Sequence, residues 1–177
     1  MGRTIREERP GFGGGVISND FFYNSKNQLM KQTTLGQADT LYEYNELGEQ
    51  LRSGLDINGN GVLDLAGSDR VSESRTFYEK SGSDWFQVNV SLAYTRENSG
   101  VSVTNSAQRT RLSGLGQISD LGLLTAESHS LDILGNDTVS RRYVDRDSAT
   151  VVQVVDYPDS TNSAVTVRVN GVMTETT

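Results

Sequence analysis

A tyrosine–asparagine unit recurs in this chain and limits what it can fold into more than any other feature. Tyr23-Asn24-Ser25-Lys26-Asn27-Gln28-Leu29 is echoed 21 residues later by Tyr44-Asn45-Glu46-Leu47-Gly48-Glu49-Gln50-Leu51. Self-similarity at a short, fixed period signals stacked copies of one supersecondary unit. Such units bury their apolar faces against their neighbours, which predicts a strip of repeats in place of a single closed core. A strip of this kind acts as scaffold or surface.

Strand signals dominate the rest. Trp85 to Tyr94 alternates, with Phe86, Val88, Val90, Leu92 and Tyr94 on one face and Gln87, Asn89 and Ser91 on the other. A period of two predicts a half-buried strand. Leu41–Tyr44 and Arg75–Tyr78 are shorter versions. Val151–Tyr157 and Val165–Val169 predict a hairpin whose loop, Pro158 to Ser163, exceeds the tight two-residue type. Asn170-Gly171 predicts a turn. Leu112, Leu115, Ile118 and Leu121 recur every three residues, but Gly114, Gly116 and Gly122 each cost about 1 kcal/mol in a helix interior, so an irregular connection is expected there. Gly11 to Gly15 lacks the lysine-plus-hydroxyl finish of a phosphate cradle and reads as a turn feeding Val16-Ile17.

The repeated residues resemble the YD-repeat (Rhs-repeat) family, whose units run tyrosine-aspartate, two or three residues, glycine, arginine or asparagine, leucine, threonine. Tyr44-Asn45-Glu46-Leu47-Gly48-Glu49-Gln50-Leu51 follows that frame with Asn45 in place of aspartate. Tyr23 to Leu29 follows it with Asn27 in the glycine position, and Leu131-Asp132-Ile133-Leu134-Gly135-Asn136-Asp137-Thr138 follows it with Leu131 in the tyrosine position. Gly48 and Gly135 fall where a chain reversal needs positive φ. Asp or Asn beside the turn caps it through side-chain to backbone bonds. Tyrosine is expected to lie as a plate on the next hairpin with its hydroxyl left to solvent. The resemblance implies a wall segment of a bacterial shell or cell-surface protein, without catalytic activity. Shells of this family can enclose a C-terminal toxin cargo. The family's closing region, rich in aromatic and Arg-Tyr motifs, is not found here. The implied partners are neighbouring repeats of the parent protein, or self-association through strand edges.

Composition narrows the classes further. A net charge of −7 argues against nucleic acid and anionic membranes, because phosphate binding asks for clustered Lys and Arg. With no cysteine, disulfides and thiolate metal sites are excluded, and a single histidine argues against zinc. A hydrophobic content of 34% is lean for a thick, double-sided core. No apolar run reaches the roughly 18–20 residues of a membrane helix. The charged start, Met1 to Pro10, has no apolar stretch behind it and does not read as a signal peptide. The expectation is an internal segment of a secreted or cell-surface bacterial protein.

One stretch carries a candidate chemical site. Asp56-Ile57-Asn58-Gly59-Asn60-Gly61-Val62-Leu63-Asp64 matches the first nine positions of a calcium loop. Asp56, Asn58, Asn60 and Asp64 supply side-chain oxygens at positions 1, 3, 5 and 9, Val62 supplies a carbonyl, and Asp69 is available as a late ligand. Gly67 stands where an EF-hand has its bidentate glutamate, and no helix pattern flanks the loop. The other reading is a polar insertion whose Asn-Gly pairs make turns. His129 lies near Ser128, Ser130 and Asp132, but neighbours on an alternating strand do not converge as a triad must, so an exposed or rim histidine is expected. Trp85, Tyr42, Tyr44, Tyr78 and Tyr94 either form a sugar-stacking platform or pack between hairpins. Asn89-Val90-Ser91 and Asn136-Asp137-Thr138 fit glycosylation acceptors that a bacterial protein is not expected to use. The fold expected is all-β, with successive antiparallel β-hairpins in a curved repeat sheet, a partial β-shell or barrel-like strip. It spans residues 1–177 as one β-repeat segment with an inserted loop at 54–70. The rival function is a calcium-supported extracellular module that binds glycans or a partner protein.

Overall fold

Turn residues cut the chain into strands at short, regular intervals. The computed structural model describes residues 3–159 and 163–176. Its strands are β1 (Arg6–Pro10), β2 (Val16–Tyr23), β3 (Leu29–Thr34), β4 (Asp39–Tyr44), β5 (Gln50–Asp56), β6 (Arg70–Ser81) and β7 (Asp84–Tyr94). They continue with β8 (Val103–Arg111), β9 (Ile118–Ser119), β10 (Gly122–Leu131), β11 (Asp137–Asp145), β12 (Thr150–Asp156), β13 (Ser163–Val169) and β14 (Val172–Thr176). Hydrogen-bonded neighbours follow chain order from β1 to β8 and from β10 to β14, with β8 beside β10 and β9 paired to β10. The fold is all-β, a succession of antiparallel hairpins, as the residue pattern predicts.

Local chemistry explains most of the boundaries. Gly11 to Gly15 is a turn closed by Gly11 N–H donating to Gly15 O at 2.7 Å, which sets Pro10 opposite Val16. Asn170 and Gly171 both have positive φ, 50° and 80°, the conformation of a tight hairpin. Residues 160–162 of the expected long hairpin loop, with Met1, Gly2 and Thr177, lie outside the described residues. Leu112 to Gln117 is irregular, as expected, and leads into the two-residue β9.

The chain divides into two compact units, Met1–Ser74 with Ser91–Val103, and Arg75–Val90 with Thr104–Thr177. In the first, Leu41, Leu63, Val71 and Tyr94 form a buried cluster with Leu65 packed against it. Leu63 comes from the loop between β5 and β6, so the insertion covers part of a sheet face. Gly54 lies beneath it. A Cβ there would stand 2.6 Å from Arg70 O and 3.1 Å from Leu63 Cδ2, so only glycine admits this approach. Glu73 is also buried, and its Oε2 accepts from Arg52 Nε at 2.8 Å and Tyr94 Oη at 3.0 Å. In the second unit Phe86, Val88, Leu124 and Val152 are buried. Burial of Phe86, Val88, Leu92 and Tyr94 follows the alternation expected along β7.

Leu41 lies in the cluster, whereas Leu47 is 87% exposed at a turn. Leu41→Ala should therefore lower the unfolding free energy by about 2–4 kcal/mol. Leu47→Ala should change it by less than about 0.5 kcal/mol. Urea titration of both variants checks the contrast.

Candidate functional site

All three copies of the repeat fold into one turn. Asn24 N–H donates to Gln28 O at 2.9 Å, and Asn27 N–H donates back to Asn24 O at 3.0 Å. The side-chain Oδ1 of Asn24 accepts from Gln28 N–H at 2.9 Å. The second copy repeats this set. Asn45 N–H reaches Glu49 O at 2.9 Å, Gly48 N–H reaches Asn45 O at 3.0 Å, and Glu49 N–H reaches Asn45 Oδ1 at 2.9 Å. In the third, Asp132 N–H bonds Asn136 O at 3.1 Å, Gly135 N–H bonds Asp132 O at 3.0 Å, and Asn136 N–H bonds Asp132 Oδ1 at 2.9 Å. The fourth residue of each turn has positive φ: Asn27 at 74°, Gly48 at 88° and Gly135 at 82°. Glycine takes this conformation without penalty, and asparagine is among the few other residues that visit it.

A side-chain bond also joins the first and fifth residues of each turn. Asn24 Nδ2 donates to Gln28 Oε1 at 2.7 Å, and Asn45 Nδ2 donates to Glu49 Oε2 at 2.8 Å. In the third copy the roles reverse, and Asn136 Nδ2 donates to Asp132 Oδ2 at 2.9 Å. Asparagine and aspartate are thus interchangeable at the first position when the fifth residue supplies the complementary group. Donors from Asn136, Leu134 and Gly135 hold the Asp132 carboxyl below its ordinary pKa. The first two copies share a further feature. Register shifts between Phe22 and Tyr23, and between Glu43 and Tyr44, leave Met30 and Leu51 as the extra residues of matching bulges. The third copy pairs through Leu131 and Asp137 without one.

Neighbouring turns are tied to one another. Gln28 Nε2 donates to Gly48 O at 3.0 Å, from the first turn to the second. Tyr44 Oη donates to Leu29 O at 2.8 Å, from β4 to the start of β3. Tyr23 Oη donates to Thr4 O at 2.9 Å. Both hydroxyls thus have main-chain acceptors, which the repeat pattern did not predict, although the Tyr23 bond lies exposed. A half-buried phenol takes a main-chain acceptor within reach. Burial, with Tyr42 nearby, raises the Tyr44 pKa above its ordinary value.

Asp56, the last residue of β5, and Asp69, the last of the loop that follows it, are both buried. Asp56 accepts from Asn60 N–H at 3.1 Å and Gly61 N–H at 2.7 Å. Asp69 accepts from Ile57 N–H at 2.8 Å and Asp64 N–H at 2.9 Å. Asn58 Nδ2 and Asn60 Nδ2 both donate to Asp64 Oδ2, at 2.8 and 2.6 Å. Asn58 Oδ1 accepts from Asn60 N–H at 3.0 Å, and Asn60 Oδ1 accepts from Val62 N–H at 2.9 Å. Positions 3 and 5 of the calcium-loop pattern thus converge on position 9, while the carboxylate at position 1 takes main-chain N–H donors. Asp69 acts as an anchor for both ends of the loop. Among the described residues, no three of His, Cys, Asp and Glu group closely enough to hold a metal ion.

The other sequence candidates separate. Tyr42 and Tyr44 line a cleft of about 440 Å³ between the first two turns. Tyr94 is buried with its hydroxyl on Glu73, while Tyr78 and Trp85 are exposed on the β6–β7 hairpin. Buried in this way, Tyr94 is not available to a sugar-stacking platform. Asn89 Oδ1 accepts from Thr76 Oγ1 at 2.8 Å.

His129 is part-buried, its side chain 15% exposed. Its Nδ1 lies 2.8 Å from Asp137 Oδ2 and its Nε2 lies 3.4 Å from Glu127 Oε1, with its ring edge-on to Phe86 at 5.9 Å. Ser128 and Ser130 alternate to the opposite face of β10. Sequence reasoning missed the ion network around this histidine. Glu127 Oε2 accepts from Arg141 Nε at 3.0 Å and faces Arg111 at 3.5 Å. Arg111 continues to Asp84, and Arg141 to Asp156, each at 2.5 Å. Burial pushes the Glu127 pKa up, but bonds from Arg141 and His129 and the charges of Arg111 and Arg141 outweigh it and hold it below its ordinary value.

Comparison of the chain with protein-family models, curated proteins and solved structures finds no match.

Two outcomes follow from these geometries. Asn45→Ala removes a side chain that both accepts and donates within its turn, and should cost about 1–2 kcal/mol in urea unfolding. Asn45→Asp keeps the acceptor for Glu49 N–H and so retains the turn, although it sets a carboxylate beside Glu49. The pKa of Glu127 is lower folded than unfolded. Its stabilisation is therefore present above the ordinary glutamate range, near pH 4.3, and is lost as pH falls through the lower folded value. Acid titration should show Glu127→Gln less stable than the parent at pH 7, with the difference shrinking towards pH 3.

Proposed function

We propose that this chain is a non-catalytic wall segment of a bacterial YD/Rhs-type repeat shell or cell-surface protein. Such shells can enclose C-terminal toxin cargo, and the segment's partners are neighbouring repeats in the same sheet. The observation that carries this reading is the tie between successive turns, Gln28 to Gly48 and Tyr44 to Leu29. These bonds join one repeat to the next and leave no convergent set of reactive groups at the turns. A wall that continues needs strand edges able to accept further strands. β1 and β14 stand at the two ends of the strand order. Sedimentation velocity across a concentration series should show reversible self-association. A strictly monomeric species throughout the series would count against a wall built by edge pairing.

A second reading is a calcium-supported extracellular module that binds glycans or a partner protein. The convergence of Asn58 and Asn60 on Asp64 Oδ2 favours it, because flipping each side-chain amide, at the loss of the N–H that its Oδ1 now accepts, would turn the amide oxygens towards the same point. Asp56 and Val62 complete the oxygen set, and Asp69 holds the loop closed. Calorimetry with calcium should then give heat and a raised melting temperature at millimolar ion, both lost in Asp64→Ala. No heat and no shift would remove this reading.

A further inference from the structure

The two faces of β11, β12 and β13 differ in how their charges are satisfied. Register is unbroken across these strands. Ser140, Val155 and Ala164 form one row across a face, Arg142, Gln153 and Thr166 the next, and Val144, Val151 and Arg168 a third. None of these nine residues is acidic. The opposite face carries Arg141, which bonds Glu127 and Asp156. Arg141 and Arg142 are consecutive, yet only the first has carboxylate partners. Arg142 meets Thr125 Oγ1 at 3.3 Å, and Arg168 has no ion pair among the described residues. In a chain with 23 acidic and 16 basic residues, this face leaves two guanidiniums without an acid among the described residues.

These two arginines frame a cavity. Arg142, Val151, Gln153, Thr166, Arg168 and Gly171 line a cleft of about 340 Å³. Two strand spacings of about 4.8 Å and one two-residue step of about 6.7 Å separate their backbones. Arginine side chains span that gap, so both forks can meet one ligand in the cleft. Gln153 and Thr166 lie between them as neutral hydrogen-bonding groups, and Val151 supplies an apolar floor. A guanidinium fork matches a carboxylate in two parallel bonds. A sheet face offers side chains, whereas an extended peptide binds through free main-chain groups at an edge. The hydroxyls of a sugar suit Gln153 and Thr166, and its carboxylate suits either arginine.

We propose that this face binds an acidic saccharide, with uronate carboxylates on Arg142 and Arg168 and sugar hydroxyls on Gln153 and Thr166. The site shares no residue with the repeat turns or the loop at 57–69, so its fate does not decide the wall reading or the calcium reading.

The test is an NMR titration of the full chain with sodium oligogalacturonate at constant ionic strength. Neutral cello-oligosaccharide and poly-glutamate of matched length serve as comparison probes. The proposal expects shifts concentrated at Arg142, Val151, Gln153, Thr166 and Arg168 with the uronate alone. It expects at least tenfold weaker binding in Arg142→Gln and in Arg168→Gln, with unchanged circular dichroism. Absence of shifts, equal binding by both variants, or equal response to the neutral sugar would overturn it. Equal response to poly-glutamate would overturn the assignment to a saccharide.

Discussion

A short polar side chain folding back onto its own turn is the interaction on which this structure depends. Asn24, Asn45 and Asp132 each accept the N–H four residues ahead, and that bond decides where one strand ends and the next begins. Register follows from turn geometry, and in a sheet register decides which residues reach each face. In these three hairpins one side-chain oxygen therefore governs burial along both flanking strands. The third copy exchanges donor and acceptor between its first and fifth positions and keeps the same turn. What recurs along the chain is a hydrogen-bond pattern that more than one residue pair can satisfy.

Stability beyond the turns comes from two different sources. The first unit has a small apolar cluster, Leu41, Leu63, Val71 and Tyr94, closed by a residue from the insertion. The second has buried side chains on β7, β10 and β12 together with a chain of ion pairs centred on Glu127. A buried carboxylate flanked by two guanidiniums and a histidine has its desolvation offset only while its partners stay in place. Such a network favours one arrangement of the strands that carry it. With a lean apolar content, specificity of this kind supplements what a thick core would give.

The fold was largely legible in the residues because its determinants are local. Period-two alternation marked β7, and asparagine and glycine at fixed offsets marked the turns at Asn45 and Asp132. The long-range features were not legible. β1, Arg6–Pro10, is charged at every position but Pro10 and became a strand only through pairing with β2. β8 is polar and gave no periodic apolar signal. The Glu127 network joins residues from β7, β8, β10, β11 and β12, and only the register brings them together. The tyrosine hydroxyls were misjudged because their acceptors, Thr4 O and Leu29 O, lie on other segments of the chain. At the insertion, spacing singled out Asp56, Asn58, Asn60 and Asp64, whose side chains all hydrogen-bond within the turn. It did not reveal that Asp69 serves both ends of the loop as a hydrogen-bond acceptor.

Native-state hydrogen exchange at the turn amides addresses the central claim most directly. If side-chain acceptance sets the hairpin register, the N–H groups of Gln28, Glu49 and Asn136 should be protected as strongly as the strand amides beside them. Exchange of these three amides at the rates of an unstructured peptide, with the flanking strands still protected, would contradict it.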